Sequence, residues 1–139
     1  MKKFLLLATL LAPTIAQAEW VKVTSASAGE VTVYVDPATI KREGKVVAFS
    51  TLFDYATVRT LSDATFRSAT MQDEIDCVGK QSRTLAVSSH SEPMAGGYVV
   101  STSAGGYASW TPIAPKTIVA ATFKHVCKKA RATAGKPRL

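Results

Sequence analysis

Apolar and polar residues alternate along most of this chain, and the alternation changes period only near its end. Val31, Val33 and Val35 are separated by Thr32 and Tyr34, the period-two mark of a strand with one buried face. Residues 45–55 form the longest such run. Val47, Phe49, Thr51, Phe53 and Tyr55 lie on one face and Val46, Ala48, Ser50, Leu52 and Asp54 on the other. Both faces are apolar or small, which predicts a central strand covered on both sides. Residues 66–77 alternate again, with Ala69, Met71, Ile75 and Cys77 opposite Ser68, Thr70, Gln72, Glu74 and Asp76. Shorter strands are predicted at 20–24, at 83–90 with Leu85 and Val87 as the apolar face, and at 98–102. Asp36 and Pro37 read as a stop, with residues 37–40 as a single helical turn capped by Asp36. Residues 59–64 read as a polar connection, and Gly96-Gly97 and Gly105-Gly106 as turns.

From Ile118 the period lengthens. Ile118, Val119, Thr122, Phe123 and Val126 recur at helical spacing, Thr117 is placed to cap the first turn, and Cys127 sits at the flank of the apolar face. Lys128, Lys129 and Arg131 fall where cations meet the negative helix end. Strands joined by short turns cannot be parallel, because parallel pairs need long crossovers. The predicted fold is α+β: a roughly six-stranded antiparallel sheet with a C-terminal helix on one face.

The N-terminus adds a compartment. Lys2 and Lys3, an apolar run over 4–11 and Ala16-Gln17-Ala18 have the layout of a cleavable secretory leader over residues 1–18, too short in its apolar core to span a bilayer. Removing 18 of 139 residues leaves 121, enough for one compact domain, read as 19–131 with a basic flexible tail over 132–139. It also removes two of 17 basic residues and none of the 10 acidic ones, so the formal charge falls from +7 to +5. That balance favours acidic partners, while export argues against nucleic acid. No cysteine follows the cleavage site to accept a lipid, so the expectation is a soluble domain in the periplasm or at the cell surface. Outside the cytoplasm two cysteines pair, and Cys77 with Cys127 would staple the helix to the sheet.

Candidate chemistry changes the picture little. His90 and His125 have no ligand partner at metal spacing, and no nucleophile motif accompanies them. Asp73 points opposite to Glu74 and Asp76 in a strand, so the three do not converge on a cation. Neither Gly-Gly pair opens a helix in the manner of a phosphate loop. The reading is therefore non-enzymatic, with no cofactor, no metal and no catalytic residue. Lys80 and Arg83, on the loop after Cys77, are the candidate contacts for a protein partner. The alternative is a periplasmic envelope protein that binds a small ligand such as haem through His90 or His125, or that assists another envelope component.

Several segments together resemble the surface-adhesin protein E family of Gram-negative bacteria. They are Trp20-Val21-Lys22-Val23, the run from Val33 to Gly44, Leu52-Phe53-Asp54-Tyr55, Glu74-Ile75-Asp76-Cys77, Arg83-Thr84-Leu85, Met94-Ala95-Gly96-Gly97, and Trp110-Thr111-Pro112-Ile113 before the last helix and Cys127. The resemblance covers nearly all of the mature chain. It implies a six-stranded antiparallel sheet with a helix disulfide-bonded to its concave side, binding to host matrix proteins such as vitronectin and laminin, and homodimer formation.

Overall fold

The computed structural model describes residues 18–104 and 109–134. Six strands follow one another as an antiparallel meander: β1 (Val21–Ala26), β2 (Val31–Glu43), β3 (Val46–Leu61), β4 (Ala64–Asp76), β5 (Gln81–His90) and β6 (Val99–Ala104). A two-residue strand, β7 (Thr111–Pro112), pairs with β5 beyond the reach of β6. Helix α1 (Ile118–Ala134) closes the chain, extending past Arg131, and Thr117 caps it by accepting the N–H of Ala120 at 3.1 Å.

The sheet curls, and α1 lies on its concave side, chiefly over β1, β2 and β3. The core there is Val35, Val47, Phe49, Ile75, Val126, Cys127 and Ala130, all buried. These are the period-two face of three strands and the stripe of the helix, the two surfaces that must bury each other. The Cys77–Cys127 disulfide joins the end of β4 to α1 across a separation of 50 residues. The opposite face of β3 is covered as well, by a short 3-10 turn at Pro93–Ala95. There Met94 N–H donates to Asp54 Oδ1 at 2.8 Å and Ala95 N–H to Ser68 Oγ at 2.9 Å. Leu52 and Ser68 are consequently fully buried on that side.

Three local expectations are corrected. Residues 37–40 are not a helical turn; they are a bulge inside β2, between the Asp36↔Ser50 and Lys41↔Ala48 pairs. Asp36 does cap locally, its Oδ1 accepting Ala38 N–H at 3.0 Å, but pairing resumes on both sides, and Pro37 is tolerated because a bulge asks for no ladder donor. Residues 59–64 are not a polar connection either. Arg59, Thr60 and Leu61 pair with Phe66, Thr65 and Ala64, so the hairpin turns only at Ser62 and Asp63, with Ser62 at φ 52°. Finally, Leu85 and Val87 do not share a face. A bulge lets Asp73 pair with Thr84 and Gln72 with Ala86, which leaves Leu85 unpaired and turned to the convex side beside Ser50 and Gln72. Val87 stays concave, next to Met71. The turn expected at Gly105-Gly106 and most of the tail expected over 132–139 lie outside the described residues.

Candidate functional site

Two surfaces stand out, one basic and one concave. The first is built around the disulfide. Asp76 folds the turn after β4 by accepting the N–H groups of Val78 at 3.0 Å and Gly79 at 2.7 Å on Oδ1, while Lys45 Nζ approaches Oδ2 at 3.3 Å. The Gly79 N–H above all, then Lys45 and Val78, hold this carboxyl below its usual range. A Cβ on Gly79 would meet the Asp76 carboxylate, so a side chain there would have to displace it. The turn sets Cys77 against Cys127 and leaves Val78 71% exposed beside them.

Lys124, Lys128 and Arg131 recur along one side of α1, where i, i+4 and i+7 positions are neighbours. With Arg42 from the end of β2 and the two cysteines they line a hollow of about 420 Å³ that has no carboxylate among its described lining residues. Lys80, singled out from sequence, lies exposed in the same turn as Val78, its carbonyl accepting Ile113 N–H at 3.0 Å. Arg83 lies on β5, and Glu74 holds its guanidinium through Nε at 2.7 Å and a terminal nitrogen at 2.6 Å; it also sits 4.4 Å above the Trp110 ring. The sequence reading passed over Arg42 and Lys124. The helical spacing of Lys124, Lys128 and Arg131 was a legible signal; the arrival of Arg42 beside them was not.

The second surface is the part of the concave face that α1 leaves open. Asp73 on β4 stands between Thr51 of β3 and Thr84 of β5, whose hydroxyls donate to Oδ2 and Oδ1, each at 2.6 Å. Burial pushes the Asp73 carboxyl above its usual pKa, and the two hydroxyl bonds only partly oppose that. It lies in a cavity of about 70 Å³ walled by Phe49, Phe53, Met71 and Ile118, next to a wider groove of about 530 Å³ along Ser82, Thr84 and Val87.

The remaining candidates are dispersed. His90 Nε2 is 2.9 Å from the Thr70 hydroxyl on the convex side, whereas His125 rides on α1 with a buried Nε2 that has no hydrogen-bond partner among the described residues. Burial lowers both pKa values, and Lys129 adds to the effect at His125. Glu74 is engaged by Arg83 and Asp76 by the turn, on the side of β4 away from Asp73. Among the described residues no three His, Cys, Asp or Glu side chains gather to hold a metal, and no helix is long and apolar enough to cross a membrane. Gly97 has φ 71° in the turn that follows Pro93–Ala95.

The fold is similar to that of Haemophilus influenzae protein E. One crystal structure of that protein aligns with a TM-score of 0.62 at 13% identity, covering 88% of this chain and 94% of the other. A second crystal form gives 0.62 at 14% identity, covering 89% and 95%. No protein of curated function matches the chain in sequence. The family model for surface-adhesin protein E matches residues 20–128, which takes in every described strand, both cysteines and most of α1, and the chain therefore belongs to the surface-adhesin protein E family.

Proposed function

We propose that this chain is an exported, non-enzymatic binding domain that holds an acidic segment of an extracellular matrix protein against the basic rim around its disulfide. The observation that carries this reading is the hollow lined by Arg42, Lys124, Lys128 and Arg131 with Val78 exposed at its edge: an apolar centre bordered by cations that have no acidic partner among the described residues fits an acidic, partly apolar peptide surface. Lys80 extends the rim along the turn, and Arg83, oriented in advance by Glu74 and Trp110, is its contact on β5. The mechanism is surface complementarity on a scaffold made rigid by the staple, with long-range steering by positive charge. Membership of a family described as surface adhesins supports the same role.

Surface plasmon resonance over immobilised vitronectin and laminin tests it. Lys124→Glu/Lys128→Glu should weaken binding at least about tenfold, mainly through the association rate, with the melting temperature unchanged; Lys80→Glu should weaken it less. Binding that persists undiminished in the double variant and is insensitive to salt would discard the rim as the contact.

A further inference from the structure

The open half of the concave face holds a partly buried acid that the rim does not use. Asp73 is fixed from both sides by hydroxyl donors, Thr51 to Oδ2 and Thr84 to Oδ1, so neither oxygen is free to swing. The described ion pairs join Lys45 to Asp76, Arg59 to Glu30 and Arg83 to Glu74, and none reaches Asp73. The other described residues around the cavity, from β3, β4, β5 and the first turns of α1, carry no ionisable group. Arg83, on the rim of the wider groove, is already neutralised by Glu74.

An ionised carboxylate that is partly buried and has no cation paired to it among the described residues is left with uncompensated charge. Each of its oxygens retains acceptor capacity beyond one hydroxyl bond. The walls are complementary to a hydrocarbon body: Phe49, Phe53 and Met71 around the acid, then Val87 further out. The cavity at the acid accommodates a small polar head only, at about 70 Å³, whereas the groove next to it, at about 530 Å³, accommodates a chain or ring.

We infer that this cleft is a binding site for a small organic primary amine, its ammonium group donating to Asp73 and its apolar body lying along Met71 and Val87. The site is separate from the hollow around the disulfide, and an amine there offsets the cost of ionising a partly buried Asp73. A neutral alcohol of the same length donates to the same acid but lacks the Coulomb attraction that an ammonium adds. A carboxylate of that length meets like charge.

The test uses the whole mature domain and n-hexylammonium, with 1-hexanol and hexanoate as matched probes, followed by NMR at the Met71 methyl and the Thr51 and Thr84 amides. Hexylammonium should give saturable shifts with a dissociation constant of about 1 mM or tighter, and hexanol at least about tenfold weaker binding. Asp73→Asn keeps a hydrogen-bonding group of the same shape and should cost at least about tenfold in hexylammonium affinity and distinctly less in hexanol affinity. Val87→Trp, which fills the groove and keeps the acid, should weaken both probes. Equal binding of amine and alcohol, an Asp73→Asn variant that binds hexylammonium like the wild type, or no saturation at these three residues each overturns the assignment.

Discussion

Breaking the Cys77–Cys127 bond measures how much of this fold depends on tying α1 to the sheet. The bond spans 50 residues. On the chain-entropy model a loop of that length restricts the unfolded state by about 4 kcal/mol, and measured values for such bonds run from about 2 to 4 kcal/mol. The family domain is 20–128, and at about 2.1 cal/mol/K of unfolding entropy per residue it carries roughly 0.23 kcal/mol per degree. The two figures together predict a fall in melting temperature of between about 9 and 17 °C. The choice of replacement matters. Cys127 is 5% exposed in the core with Val35, Val47, Ile75 and Val126, so a serine there would add the cost of a buried hydroxyl to the loss of the bond. Cys77→Ser/Cys127→Ala keeps the buried position apolar and isolates the cross-link. The assay is thermal unfolding followed by circular dichroism, wild type against variant, each with and without reductant. Reductant should bring the wild type down to the variant and leave the variant where it is. A variant melting within about 2 °C of oxidised wild type would refute the reasoning, since the helix would then be held by packing alone.

Two further predictions concern carboxyls whose environments push them in opposite directions. Burial raises the Asp73 pKa, so this group favours the folded state only while protonated, and that contribution is lost as pH rises through its folded pKa. Asp73→Asn should therefore melt a few degrees above wild type at neutral pH, with the gap closing as the pH falls below about 4; a variant less stable than wild type at every pH would contradict the assignment. Asp76 is shifted the other way by the Gly79 N–H first and by Lys45, so its contribution is present above the usual carboxyl range and lost as pH falls through its depressed pKa. Asp76→Ala should lower the melting temperature at neutral pH and lose less stability than wild type on acidification; equal acid sensitivity in the two proteins would remove Asp76 from the account.

The elements themselves were legible because period two and period 3.6 are local properties of the chain. Val31, Val33 and Val35 fall buried, as alternation requires, and Ile118 to Val126 show the stripe that packs on them. Short connections fixed antiparallel order for the same local reason. The pairing of Cys77 with Cys127 needed only the expectation of export and an even count. Where a strand ends was less legible, because a bulge and a turn use the same residues. Asp36-Pro37 carries a local cap whether or not the ladder resumes, and only pairing with β3 decides that it does. Both surfaces with functional promise depend on such long-range pairing. Arg42 joins Lys124, Lys128 and Arg131 because the end of β2 meets the side of α1 where the curled sheet closes on it. Asp73 becomes a partly buried acid between two threonines because β3 and β5 flank β4 in one register, with a bulge at Leu85 returning Val87 to the same side. Alternation assigns each residue to a face of its own strand. Which residues share that face is set by register and bulges, and these depend on the closing of the whole sheet.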